Sequence, residues 1–208
     1  MIKINPREVA AEILLNITKE GSYSNQELKR ALRRNGAMSK EDRALVTEIV
    51  NGTLRNLYYI DYFLNKVSTV PTEKMKPYVL AVLRTALYQI KFMDKIPPSA
   101  AVNEGVKLIK GKNMGRLAGF VNAVLRKAKE LSDADLPNPE LNFLEYLSIK
   151  YSHPLWLLKM WKSYFDENFI EELCKADNVP AKVCIAVNTL KTDKDSLKKS
   201  LASKGIEV

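Results

Sequence analysis

Histidine and cysteine are almost missing from this chain, and their scarcity removes whole classes of chemistry. His153 is the single histidine, and Cys174 and Cys184 are the only cysteines. No metal site of ordinary ligand count can be assembled from that set, so no metal is expected. The two thiols read as reduced side chains of a cytosolic protein, with no basic partner evident nearby to activate either one. Long apolar runs are absent as well. Nothing approaches the roughly 18 consecutive apolar residues of a membrane span. Ile13-Leu14-Leu15, set amid Glu12, Asn16 and Lys19, is too short for a signal peptide. Membrane partners and export are therefore not expected, and the cytoplasm is the expected location. Gly111, Gly115 and Gly119 recur every four residues, which is neither GxGxxG nor a Walker loop.

Arginine is missing from the end of the chain, and that absence exposes what is there. The formal charge of +9 divides unevenly: residues 1–130 carry 23 Lys or Arg against 12 Asp or Glu, whereas residues 131–208 carry 10 against 12. The first part is thus at +11 and the second at −2, and all nine arginines precede residue 131. A planar, permanently charged guanidinium suits phosphate better than a solvated ammonium does. No segment joins basic charge to a lipid-seeking aromatic face, so the polyanion implied is nucleic acid rather than membrane.

At 208 residues with 46% hydrophobic side chains, the chain can bury a core without staples, in one large or two modest domains. Up to Glu130 the apolar period is helical. Val9, Ala10, Ile13, Leu14 and Ile17 share one face between an early Pro6 and a stop at Gly21. A short helix is predicted from Asn25 to Arg34, ended by Asn35-Gly36. Ser39 with Asp42 caps the next, which carries Leu45, Val46, Ile49 and Val50. Gly52 either breaks or merely weakens the path into a helix bearing Leu54, Leu57, Tyr58 and Leu64. Pro77 opens a helix so apolar through Leu80, Leu83, Leu87 and Ile90 that it belongs at the centre of a bundle. Pro97-Pro98-Ser99 starts another, followed by one with Leu117, Phe120, Val121, Val124, Leu125 and Ala128 inward.

The stretch from Asp133 to Pro139 is the best domain boundary. Further helices follow near Pro154 and Glu167. The period changes near Pro180: Val183 to Val187 alternates as a strand, Ser196 to Ser203 is helical, and Gly205 to Val208 looks like a second strand. A βαβ unit is opening there with too few elements to bury a sheet, so a fragment of a longer protein is expected. The divisions expected are 1–132, 133–179 and 180–208.

Two basic constellations stand out. Between Asn25 and Arg34, Leu28, Ala31 and Leu32 take one side while Lys29, Arg30, Arg33 and Arg34 spread over the other. Such a face is either merely solvated or tracks a phosphate backbone, and both readings stay open. Lys107, Lys110, Lys112 and Arg116 surround the turn before the helix that carries Leu117 to Ala128, whose N-terminal amides favour anions. The hypothesis is that the two groups form one RNA-facing surface. Other features read as structural. Gly115, Gly119, Asn122 and Arg126 make a stripe expected to face another backbone, on a helix touched from both sides. Asn103, Glu104 and Arg84 are expected as satisfied polar groups of the bundle. His153 suits a helix start, and Trp156, Trp161, Tyr164 and Phe165 suit packing at a seam.

The stretch from Ile96 to Glu130, with its FVNAVLR, resembles the signature of the NusB-like RNA-binding domain. Tyr151-Ser152-His153-Pro154-Leu155-Trp156-Leu157-Leu158-Lys159 and Val187-Asn188-Thr189-Leu190-Lys191 resemble segments that follow this domain in the Sun/RsmB ribosomal RNA methyltransferases. The resemblance implies a mainly α fold: a NusB-like helical bundle, a helical connector and the start of a small α+β (RRM-like) subdomain. It implies binding to small-subunit ribosomal RNA by a protein whose complete form uses S-adenosylmethionine to methylate cytosine C5. Neither cysteine matches the nucleophile motif of those enzymes, so no catalytic or cofactor-binding residue is carried over. The alternative is a stand-alone NusB-type antitermination factor, which has no need of the residues from His153 onward.

Overall fold

The computed structural model describes residues 4–179 and 184–206, and these carry eleven α-helices. Their ends follow local chemistry. Helix α1 (Pro6–Glu20) begins where Asn5 accepts the Arg7 amide at 3.0 Å and stops at Gly21, whose φ of 67° suits a residue without Cβ. The next are α2 (Ser24–Arg34) and α3 (Lys40–Arg55), the latter capped by the Ser39 hydroxyl accepting from the Asp42 amide at 3.1 Å. After α4 (Leu57–Val67), prolines occupy the first positions of α5 (Pro77–Phe92) and α6 (Pro98–Gly111). A single 3₁₀ turn at Gly115–Leu117 leads into α7 (Ala118–Glu130).

Helix α5 occupies the centre that its apolar flanks predict. It packs against α1, α3, α4, α6 and α7. Ten of its side chains, Tyr78 through Gln89, are buried. One core joins α4 to α7 around Phe63, Leu83, Leu87 and Leu125, and a second joins α1, α2 and α3 around Ile13, Val46 and Ile49. Gly52 does not break its helix. A Cβ there would fall 2.0 Å from the Tyr88 ring, so the glycine makes room for Tyr88 while α3 continues to Arg55.

Residues after Glu130 form α8 (Phe143–Lys150), α9 (Leu155–Lys162) and α10 (Glu167–Asp177), with Leu147, Leu158, Ile170 and Cys174 as their own small core. The 133–139 stretch is tied back to α4: the Tyr59 hydroxyl donates to Asp133 at 2.9 Å, and the Tyr62 hydroxyl to the Asp135 carbonyl at 2.9 Å. Met1–Asn178 form one compact unit and Val179–Val208 a second. The second contains α11 (Lys194–Ala202), opened by Asp193 accepting from the Ser196 amide at 2.9 Å. The two strands expected there are not found among the described residues. Residues 184–188 have no strand partner for their amides and carbonyls, while 183, 207 and 208 lie outside the described residues.

Three expectations about packing are corrected. Trp156 is 67%, Tyr164 77% and Phe165 42% exposed. Leu158 and Trp161, three apart, take the inward side of α9, which leaves Trp156 and Met160 facing out, and Tyr164 lies in the turn past the helix end. His153 is structural as read, buried with its Nδ1 2.8 Å from the Tyr151 carbonyl. That carbonyl can only accept, so Nδ1 carries the proton.

Candidate nucleic-acid interface

Helix α2 is held by Ala31, buried, with Leu28 and Leu32 beside it. At 100° per residue, this leaves Lys29, Arg30, Arg33 and Arg34 on the solvent side, and all four are exposed. Beneath them Glu27, only 4% exposed, accepts from Asn16 Nδ2 at 2.8 Å and from Arg30 Nη1 at 3.0 Å. The one acid on this helix is thus consumed at its base. Lys29, Arg33 and Arg34 form no ion pair among the described residues.

The second group divides into three roles. Lys112 lies 2.8 Å from both Glu8 and Glu12 of α1, and these carboxylates hold its ammonium well above the usual lysine range. It is a tether from the end of α6 to α1, with its charge already matched. Lys107 pairs with Glu104 at 2.7 Å and remains exposed. Lys110 and Arg116 are exposed and, with Lys76, line an open pocket of about 610 Å³ that no acid enters. Lys76 was not anticipated. It immediately precedes Pro77 at the mouth of α5, where sequence periodicity assigns no face.

Glu8, Glu12 and Asn16 follow one another at four-residue spacing on α1, so they share a face. Lys112 holds the first two and Glu27 holds the third. The turn after α6 and helix α2 are therefore fastened to one stripe of α1, their anchors Glu12 and Asn16 about 6 Å apart along the axis. The elements that carry the two basic groups are thus both anchored on α1.

On α7 the glycine expectation is overturned. Gly115 and Gly119 have no atom within 4 Å of a built Cβ, and Arg126 is exposed. The helix is covered by α4, α5 and α6 through Val121, Val124, Leu125 and Ala128, and that burial leaves the glycine side open. Asn103 is likewise exposed rather than satisfied inside the bundle, since Gly105, Leu108 and Ile109 supply the buried side of α6. Arg84 behaves as read, a bidentate pair with Asp61 at 2.8 and 2.6 Å. No group of histidines, cysteines and carboxylates able to hold a metal occurs among the described residues. No helix there is long and apolar enough to cross a membrane.

Comparison with known proteins matches residues 4–130 to the NusB family and residues 153–208 to the Methyltr_RsmF/B-like, ferredoxin-like domain. A probable ribosomal RNA small subunit methyltransferase B of Bacillus subtilis is 35% identical over 100% of this chain and 46% of its own length. Its namesake from Synechocystis is 31% identical over 96% of this chain and 44% of its own. The chain spans less than half the length of these curated relatives. Among solved structures, one described as PH0851 superposes with a TM-score of 0.67 at 22% identity, covering 100% of this chain and 46% of that one. NusB from a NusB–NusE complex with dsRNA superposes with a TM-score of 0.56 at 18% identity, over 60% of this chain and 93% of its own. These likenesses establish the fold.

Proposed function

The chain belongs to the NusB family through residues 4–130, and from that membership we propose that it is the RNA-engaging part of a ribosomal RNA small subunit methyltransferase. The observation that carries the reading is the basic surface fastened along one stripe of α1, with the match of residues 153–208 to a methyltransferase-associated domain behind it. Lys29, Arg30, Arg33 and Arg34 on α2 and Lys107, Lys110 and Arg116 near α7 meet phosphates. Lys76 joins them, and Lys112 holds the two groups in register. Phosphate contacts position RNA without reading it. The complete enzyme uses S-adenosylmethionine to methylate cytosine C5 of small-subunit ribosomal RNA in the cytoplasm. No cofactor-binding residue and no catalytic nucleophile is assigned to this chain. Cys174 is buried in the α8–α10 core, which pushes its thiol up to about 11, the wrong direction for a nucleophile. The stand-alone antitermination reading leaves the match at 153–208 without a purpose.

The test is RNA affinity of the 208-residue chain, measured by fluorescence anisotropy on small-subunit ribosomal RNA segments across a salt series. The expected result is a linear fall of log K with log salt. The chain is also expected to transfer no methyl group from S-adenosylmethionine. Salt-independent binding sinks the interface, and methylation by the chain unaided sinks the division of labour.

A further inference from the structure

Helices α6 and α7 are joined by a short turn and pack side by side, so the start of α6 faces the end of α7. Between them runs an open groove of about 210 Å³, lined by Ser99, Val102 and Asn103 from α6 and Asn122, Arg126 and Lys129 from α7. Asn122, Arg126 and Lys129 follow at helical spacing on one face, and Ser99 and Asn103 stand one turn apart opposite them.

The groove is chemically idle. The side chains of Ser99, Asn103, Asn122 and Arg126 make no hydrogen bond or ion pair among the described residues, and Lys129 has only a 3.4 Å pair with its neighbour Glu130. Elsewhere in the bundle the same residue types are engaged. Asn16 donates to Glu27, Asn65 donates to and accepts from Thr72, and Arg84 grips Asp61. No acid lines the groove, so its cations remain available to an anion from outside.

We propose that this groove is a nucleotide-reading subsite for single-stranded RNA, with Arg126 and Lys129 on a phosphate and the Asn103 and Asn122 carboxamides on the edge of one unpaired base. The inference rests on the RNA-binding reading above and extends it from positioning to base recognition. The volume lies below the roughly 300–1,000 Å³ of an ordinary small-molecule pocket, which suits one base rather than a whole cofactor. Each carboxamide offers both donors and an acceptor, as a base edge does. An acidic peptide would satisfy the cations and leave those carboxamide pairs unread. The +11 charge of residues 1–130 favours nucleic acid as the anion. Unpaired RNA bases, unlike those in A-form duplex, can present their edges to side chains.

The experiment measures anisotropy of the 208-residue chain with A, C, G and U homo-oligonucleotides over a salt series, with an acidic peptide as competitor. The variants are Arg126→Ala and the double variant Asn103→Ala/Asn122→Ala, and thermal melting confirms that each is folded. Arg126→Ala is expected to lower affinity for every oligonucleotide and reduce the salt slope by about 0.7, one single-strand phosphate contact. The double asparagine variant is expected to keep the slope and shrink the ratio between the best and worst homo-oligonucleotide at least fivefold, the lower end of what a bidentate base contact discriminates. Salt-dependent RNA binding that neither variant alters overturns the subsite and leaves the broader reading standing. The same holds if an acidic peptide binds the groove and displaces no RNA. Absence of salt-dependent binding in the unaltered chain overturns the broader reading itself.

Discussion

Gly52 shows how a single residue can be misjudged from sequence and then explained by its neighbour. In sequence it is a weak helix former and a plausible break. In the fold it is the floor of the Tyr88 ring, whose hydroxyl donates to Glu48 at 2.5 Å, one turn before the glycine on α3. Gly52→Ala thus gains helix propensity and loses the tyrosine's seat. The clash falls on a ring whose hydroxyl is anchored, so the steric loss wins. We expect destabilisation of roughly 1–3 kcal/mol, the range for overpacking a filled core, read as a lowered urea midpoint with little change in slope. Gly119 predicts the reverse. Its surroundings are open, and Gly119→Ala is expected to stabilise by about 0.5–1 kcal/mol through helix propensity. A destabilised Gly119→Ala variant would contradict the open surroundings. The sequence cannot separate these two glycines, because the difference lies in what another helix places over each.

At the scale of elements, starts and stops were legible wherever they depend on nearby chain. Pro6, Gly21, Ser39, Pro77 and Pro98 mark ends by satisfying or lacking backbone groups within a turn. What holds one element to another was not legible. The exposed Trp156 and Tyr164 looked like packing residues because composition alone cannot say which face of a short helix meets a core. Tyrosine ties are a clear case. Tyr59 joins α4 to Asp133 and Tyr88 joins α5 to α3, and both are raised above their ordinary range, first by burial and then by the carboxylate each bonds. Burial also pushes Tyr78 up to about 12. An unfolded tyrosine titrates near 10. Because the native state keeps its phenolic protons beyond that point, this stabilisation is whole below about pH 10 and drains away as pH rises through 10 to 12. The urea midpoint is expected to fall across that window, and Tyr88→Phe to fall less steeply with pH. Equal slopes for the two proteins would show that the Tyr88 proton is not linked to folding.

For the whole molecule the decisive property is where charge sits rather than how much there is. A net charge of +9 attracts RNA through its long-range field wherever the cations lie, whereas a phosphate-tracking surface needs particular side chains on one side of α1. Charge-matched variants separate the two. Arg33→Glu/Arg34→Glu alters exposed residues of α2, and Lys198→Glu/Lys199→Glu alters exposed residues of α11. Each reversal subtracts two charges, so both variants fall from +9 to +5. If the α2 arginines touch phosphates, their reversal lowers the salt slope by roughly 1.4–1.8, two contacts at about 0.7–0.9 each. The α11 variant then keeps its slope, because the slope counts phosphate contacts and not net charge. Equal loss in both variants would mean that attraction is general and that the stripe on α1 does not select the face presented to RNA. The uneven charge was visible in the sequence. That both basic elements anchor on α1 was not, because the anchoring depends on Lys112 and Glu27 meeting the same face of that helix from elements 85 positions apart in the chain.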